Sequence, residues 1–578
     1  MALKIRSVCA LLFDPPDAES RPVNTSIPRL ATAADTTWWR GAVIYQVYPR
    51  SFADHDGDGV GDIAGIIDRL PYIASLGVDA IWISPFFKSP MKDFGYDIAD
   101  YRDVDPLFGT LDDLDRLIAR THELGLKLMI DQVLSHTSDQ HEWFKESRAS
   151  RTNPKADWYV WADPKADGTP PNNWLSVFGG SAWQWDSRRR QFYLHNFLAS
   201  QPDLNFHNPE VQDQILSDIR FWLDRGVDGF RFDACIFHFH DRQLRDNPPA
   251  EKRDTRSVGE SNPYGMQRHL YDKTQPENVP YLERIRALLN EYGAASVGEI
   301  GDDDSLKVMA EYTRGGNRLH MAYSFNLLTS DNTAGHIRNE VEELEAQMHD
   351  GWASWSYGNH DVARVLTRWG GPGASTNYSK VAMAMLVSLR GSVCWWQGDE
   401  LGLTEADIPF EKIQDPYGIT FWPEFKGRDG CRTPMPWVQA QPHAGFSRGV
   451  DVEPWLPVPP EHATRAVDVN EADPASPLNF MRRLLAWRRT QPALVTGDIR
   501  FVDAPEPVLA LVRSPENGSD GNTLLCVFNL GADPVDLALA VPDSLAVATH
   551  LDPALQGQRA GQRFTLPGHG FYFGEITA

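Results

Sequence analysis

The chain has 578 residues, with 55 Lys and Arg against 79 Asp and Glu and a formal net charge of −24. An acidic balance of that size repels phosphate backbones and anionic bilayers, which excludes nucleic acid and membrane surfaces as partners and leaves small molecules. The length accommodates a large core and two or three domains, and no apolar run approaches the roughly 18 residues of a membrane span.

The amino-terminal "MALKIRSVCALLFDPP" has a weakly basic head and a short apolar run, but Asp14 and two prolines stand where a small-residue cleavage site belongs. Residues 1–35 are therefore expected to form a disordered extension. Next comes "DHDGDGVGD" (54–62), which spaces Asp54, Asp56, Asp58 and Asp62 two residues apart, with the Val60 carbonyl completing the series. Hard oxygen donors so arranged resemble the first part of an EF-hand loop and suit a structural Ca²⁺ or Mg²⁺.

Short β-branched and aromatic runs then alternate with longer amphipathic ones, the pattern of parallel βα units. Eight strands are expected, at 42–49, 79–86, 127–134, 229–236, 295–300, 321–327, 353–360 and 391–399. Helical runs such as "LDDLDRLIARTHELG" and "VQDQILSDIRFWLDRG" lie between them and end in Gly, which favours a left-handed cap. Eight such units make an α/β fold of the (β/α)8 TIM-barrel type, assigned to 36–131 and 206–492. The long Trp-, Pro- and Asn-rich connection after strand three, 132–205, reads as an inserted subdomain. From 493 to 578 the pattern is pure β, as in a small antiparallel sandwich. Five scattered cysteines (Cys9, Cys235, Cys394, Cys431, Cys526) without C-x-x-C spacing argue against a disulfide framework and for a reducing, cytoplasmic compartment over a periplasmic one.

In a barrel of this kind chemistry gathers at the C-terminal ends of the strands. Asp131, Arg231 with Asp233, Glu299, and His360 with Asp361 all fall there. Like charges in a shared pocket repel, so such a cluster costs stability unless function repays it. Paired carboxylates suit glycoside hydrolysis, one attacking the anomeric carbon and the other protonating the leaving oxygen. Arg231, on the same strand face as Asp233, supplies a cation that favours the ionised nucleophile.

The motifs "DQVLSH" (131–136), "GFRFD" (229–233), "GEI" (298–300) and "NHD" (359–361), in that order, resemble those of the α-amylase family of glycoside hydrolases, in its bacterial α-glucosidase and oligo-1,6-glucosidase branch. The resemblance runs from "WWRGAVIYQVYPRSF" (38–52) to the C-terminal sandwich. It implies that Asp233 is the nucleophile, Glu299 the general acid/base and Asp361 a third carboxylate on the sugar hydroxyls, with His136 and His360 bonding the same glucose. It also implies an exo-acting pocket, in which Asp93 of "DFGYD" binds the far hydroxyls, Tyr96 stacks on the ring and Arg432 pairs with Asp93. "QPDLN" (201–205) is a hallmark of the branch, and Phe197 and Gln201 match positions lining the same subsite. Ser135 stands where many relatives carry Asn, which speaks against an amylase-type calcium site there.

Ala234, after the nucleophile, matches the α-1,4-acting members, whereas α-1,6-acting ones tend to have Val. The expected activity is therefore retaining α-1,4-glucosidase action on maltose-like disaccharides and small α-glucosides, with no organic cofactor and with transfer to sugar or alcohol acceptors. The long connection at about 237–280 is expected to wall off the acceptor side, and His238, His240 and Asp241 within it are read as a solvated loop rather than a metal cluster. The alternatives are an oligo-1,6-glucosidase, a glucosyl-transferring or isomerising relative (sucrose isomerase, trehalose synthase, amylosucrase) and, from another class, an inactive transporter-associated binding subunit. The oligomeric state, monomer or homodimer, is left open by the sequence.

Overall fold

The computed structural model describes residues 36–253, 258–371, 373–449, 451–516, 520–542 and 544–576. The extension expected at 1–35 lies outside them. Eight parallel strands form the central sheet: β1 Val43–Val47, β2 Ala80–Ile83, β3 Lys127–Val133, β4 Gly229–Asp233, β5 Ala295–Ile300, β6 Met321–Ser324, β7 Ser354–Trp355 and β8 Ser392–Trp396. Their order is β6-β5-β4-β3-β2-β1-β8-β7, and a parallel bridge between Ala322 and Ala353 joins the two ends. The sheet is thereby closed into the expected barrel.

Strand alternation sorts each run between two environments. Ile44, Trp82, Met129, Val297, Met321 and Tyr323 fill the lower interior, while Phe230 and Phe232 point outward into the layer beneath the helices. The inward positions one step higher are polar. Register sets which of them share a level: Asp131 pairs with Arg231 and Val133 with Asp233 across β3 and β4, and Val297 pairs with Arg231 across β4 and β5. Two residues further on, Glu299 therefore stands level with Asp233.

β7 is shorter than the 353–360 run suggested, because only Ser354 and Trp355 pair with β8. His360 and Asp361 accordingly sit on a loop above the strand. Between β3 and β4, Trp161–Ala162, Trp183–Asp186 and Gln191–Leu194 form a three-stranded antiparallel sheet around Val160, Trp174, Trp183, Phe192 and Leu194.

After the barrel come a five-stranded and a three-stranded antiparallel sheet. The inner strands Val508–Ser514 and Thr523–Asn529 of the larger sheet are buried on both faces. Leu509, Leu511, Leu524, Cys526 and Phe528 join the main core, whereas Val508, Ala510, Val512, Leu525 and Val527 pack on Phe564 and Leu566 of the smaller sheet. This two-sided burial explains why "PVLALVRS" and "TLLCVFNL" read as nearly continuous apolar runs rather than as alternating ones.

Candidate active site

Arg231 organises the mouth of the barrel. Its Nη1 donates to Asp131 Oδ1 at 2.9 Å and to Asp233 Oδ1 at 2.6 Å, and its Nη2 lies 2.7 Å from Glu299 Oε2. The Tyr323 hydroxyl oxygen accepts from Arg231 Nη2 at 2.9 Å and its hydrogen reaches Glu299 Oε1 at 3.2 Å. Glu299 Oε2 also accepts the backbone N–H of Ala234 at 3.0 Å. One planar guanidinium thus holds the two central carboxylates on adjacent nitrogens, a geometry its fork supplies and a lysine would not.

Asp361 faces two further arginines. Its Oδ1 accepts from Arg428 Nη1 and from Arg432 Nη2, both at 3.1 Å, and Arg432 Nε donates to the His360 carbonyl at 2.6 Å. Asp93 is held by Arg428 Nη2 at 3.0 Å and by Gln201 Nε2 at 3.0 Å. The arginine opposite Asp93 is therefore Arg428 and not the expected Arg432. Both come from "GRDGCR", where the turn Asp429–Cys431 sends the two guanidinium groups to neighbouring carboxylates, and spacing alone does not tell them apart.

"DFGYD" sits between two strands the sequence reading did not foresee, Phe87–Lys88 and Asp100–Val104. Asp97 holds this loop, accepting from the backbone N–H groups of Lys92 and Asp93, each at 3.0 Å, and from Ser89 Oγ at 2.9 Å. Gln46 Nε2 donates to His360 Nδ1 at 2.8 Å, which leaves the ring proton on Nε2, 2.5 Å from the Tyr96 hydroxyl oxygen. Tyr96 in turn donates to Asp131 Oδ2 at 3.2 Å. Burial holds both His360 and His136 well below the usual imidazole range, so both are neutral donors rather than cations.

Burial also raises Asp233 and Glu299 above the usual carboxylate range; Arg231 opposes the rise and neighbouring carboxylates add to it. Asp361 moves the other way. Despite its burial, the guanidinium groups of Arg428 and Arg432 draw it well below that range. Close carboxylates so placed titrate as a pair, with one proton between them over an intermediate pH range, and a nucleophile with a general acid needs that state.

The cavity above these groups has a volume of about 330 Å³ and is lined by Asp93, Tyr96, His136, Phe197, Gln201, Asp233, Ala234, Glu299, His360 and Asp361, all of them anticipated. Arg428, Phe178, Phe325, Tyr417 and Phe425 also line it and were not. Only the second arginine of "GRDGCR" hinted at any of them.

The chain also matches the model for the alpha-amylase catalytic domain over residues 46–497. It belongs to the alpha-amylase family. A probable alpha-glucosidase of Rhizobium meliloti (strain 1021) is 56% identical over 502 residues, spanning 86% of this chain and 90% of its own. The oligo-1,6-glucosidase of Heyndrickxia coagulans is 37% identical, over 86% and 93% of the two chains. Among solved structures, the alpha-glucosyl transfer enzyme XgtA aligns with a TM-score of 0.90 at 58% identity, over 93% of this chain and 99% of its own. The trehalulose synthase MutB from Pseudomonas mesoacidophila MX-45 aligns with a TM-score of 0.83 at 34% identity, over 93% and 99%. The alpha-amylase family consists of glycoside hydrolases that need no organic cofactor, and this protein is such an enzyme.

Elsewhere two expectations change. His238, His240 and Asp241 are buried rather than solvated: His238 Nδ1 meets Asn278 Oδ1 at 2.9 Å, His240 packs against His207 and Trp174, and Asp241 pairs with Arg245 at 2.9 Å. At His240 the connection packs against Trp174 of the inserted subdomain. In the acidic loop, Asp54, Asp56 and Asp58 bring ligand atoms within 4.8 Å of one another. Asp62, expected with them, instead caps the helix Ile63–Ser75. Its oxygens accept the N–H groups of Gly65 at 2.6 Å, His55 at 2.9 Å and Asp56 at 3.2 Å.

The raised pair has a kinetic consequence. With Asp233 as nucleophile and Glu299 as general acid, as the resemblance implies, kcat/KM should fall as pH drops through one raised value and as it rises through the other, both limbs lying above those of ordinary carboxylates. Asp361 stays ionised throughout. Glu299→Gln should lower kcat/KM by about 10²- to 10⁴-fold and abolish the basic limb. Persistence of that limb in the variant would assign it to another group.

Proposed function

We propose that the protein is a retaining, exo-acting α-glucosidase that removes the non-reducing terminal glucose from maltose-like disaccharides and small α-glucosides and also transfers it to alcohols or sugars. The observation that carries this reading is the closure of the pocket behind Asp93 and Arg428, 3.0 Å apart, above the Arg231-bound carboxylates. A cavity of about 330 Å³ lies at the small end of ligand sites and suits one glucose with a compact aglycone.

In the first step Asp233 attacks the anomeric carbon while Glu299 gives its proton to the departing oxygen. In the second, Glu299 takes a proton from water or an alcohol, which displaces Asp233 and releases glucose or a new glucoside. Asp93 and Arg428 bind the far hydroxyls, Asp361 and His360 the near ones, and Tyr96 and Phe197 the ring faces. Val258, Tyr264, Phe178 and Phe425 give the acceptor side an apolar lining, which favours an alcohol over bulk water. The naming of XgtA as an alpha-glucosyl transfer enzyme supports the transfer step.

Ala234 supports an α-1,4 preference by a specific route. It sits in the left-handed region at φ 42°, where a β-branched residue is strained, and its N–H fixes Glu299. Val at this position would crowd the acceptor side beside Glu299.

Product analysis by NMR with maltose, isomaltose, sucrose and trehalose, with and without a short-chain alcohol, tests the reading. Maltose should yield α-glucose and, with alcohol, an α-glucoside, neither of them in Asp233→Asn. Ala234→Val should shift the maltose to isomaltose ratio toward isomaltose. An isomerised disaccharide without net glucose would move the protein to the isomerising relatives.

A structural Ca²⁺ or Mg²⁺ on Asp54, Asp56 and Asp58 fits the hard oxygen donors gathered there, remote from the pocket lining. Chelation should then lower the melting temperature while leaving turnover in the cold intact, and Asp56→Asn should be insensitive to the chelator. An unchanged melting temperature would reduce the loop to an acidic turn. The described cysteines, buried and unbridged, fit a cytoplasmic setting, and no described helix is long and apolar enough to cross a membrane.

A further inference from the structure

The acceptor half of the cavity is walled by three separately built segments: the turn at Val177 and Phe178 of the inserted subdomain, the connection after β4 through Val258, Gly259 and Tyr264, and the segment carrying Tyr417 and Phe425. Asn262 lies where they meet and is 1% exposed. Its Nδ2 donates to the Val177 carbonyl at 2.7 Å and to the Tyr417 hydroxyl oxygen at 3.0 Å, and its Oδ1 accepts the Tyr264 backbone N–H at 3.0 Å. One amide spends both donor hydrogens and an acceptor on all three walls. Aspartate lacks the donors and leucine lacks both functions.

The aromatic faces over the acceptor follow from this junction. Tyr417 stacks on Phe178 with ring centres 5.0 Å apart and meets Phe425 at 4.7 Å. Tyr264 stacks on His269 at 3.7 Å. Further from the mouth the subdomain is tied to the same connection independently. Asn173 Nδ2 donates to the Asn247 carbonyl and Asn247 N–H to Asn173 Oδ1, each at 2.8 Å, and Trp174 Nε1 donates to the Arg245 carbonyl at 2.8 Å. Loss of Asn262 would therefore open the mouth without detaching the subdomain.

We propose that Asn262 is a positioning residue that latches these three walls, and that the latch sets both the length of α-glucoside admitted and the preference for alcohol over water as acceptor. The selectivity half of this inference rests on the glucosidase reading; the latch itself does not. With the latch intact the aromatic faces stay closed over a compact acceptor. Without it the far end yields to a longer sugar chain and to water.

Asn262→Ala and, as a variant that removes the hydroxyl's bonds to Asn262 and to the Gly259 backbone without a cavity, Tyr417→Phe test it in the full-length protein. Amide hydrogen exchange of Asn262→Ala should speed up together in segments 172–181, 258–267 and 412–428, by about tenfold for three lost hydrogen bonds at the low end of their usual worth. The maltotriose to maltose ratio of kcat/KM should rise by about tenfold, and the yield of glucoside relative to glucose with a short-chain alcohol should fall. The inhibition constant of a glucose-shaped iminosugar, which reads only the Asp93 side, should stay within about twofold. Tyr417→Phe should move the same quantities in the same direction by less, and it alone decides the matter if Asn262→Ala does not fold. Faster exchange confined to 258–267, or unchanged selectivity with all three segments loosened, would overturn the proposal. If the parent enzyme acts on none of these sugars, the functional reading fails, while the exchange pattern still decides the latch.

Discussion

The active site depends on one buried cation. Arg231 is enclosed at the mouth of the barrel and carries Asp131, Asp233 and Glu299 at once. Taking a guanidinium and three carboxylates out of water costs several kcal/mol per ion, and only close, well-bonded geometry offsets that cost. The barrel supplies the geometry through register: β3, β4 and β5 place Asp131 beside Arg231 and Glu299 level with Asp233. Apolar residues below and outward-facing phenylalanines on the same strands keep the backbone from yielding. Moving β4 by one residue would exchange Arg231 and Asp233 for Phe230 and Phe232.

Negative charge still exceeds positive at the mouth. Arg428 and Arg432 serve Asp361, and Arg428 also serves Asp93 and Asp415. Those pairings hold Asp361 and Asp415 below the ordinary range, with Asp415 lowered to about 2, whereas the three carboxylates sharing Arg231 are raised. The imbalance separates a fixed anion, Asp361, from a pair able to exchange a proton. Asp361 faces two guanidinium groups, whereas Asp131, Asp233 and Glu299 share one, and burial raises Asp93 even beside Arg428.

Most of this arrangement was legible in the sequence because it rests on strand ends. Each of the eight barrel strands lies within an expected run, and Asp233 closes its strand while Glu299 stands one residue from the end of its own, where alternation dictates their direction. What was not legible lies on connections or depends on which of two equivalent residues turns inward. Arg428 and Arg432 are four apart in one irregular segment, and only the folded turn assigns Arg428 to Asp93. Asp62 has the spacing of a metal ligand but stands where a helix begins, and capping claims its oxygens. His238 is buried against Phe206, Tyr281 and Asn278 and His240 against His207 and Trp174, partners distant in the chain that no local pattern encodes. Tyr417, about 180 residues beyond the nucleophile strand, reaches the acceptor wall only through tertiary packing.

The central claim is that Arg231 presents Asp233 as the nucleophile with Glu299 as its acid/base partner. Mass spectrometry of the peptides released after reaction with an activated fluoro-α-glucoside that slows the second step tests it most directly. The account predicts one fluoroglucosyl group, covalently attached at Asp233 and discharged when an alcohol is added. A label on Glu299 or Asp361, or turnover with no covalent species under conditions where the second step is slow, would contradict it.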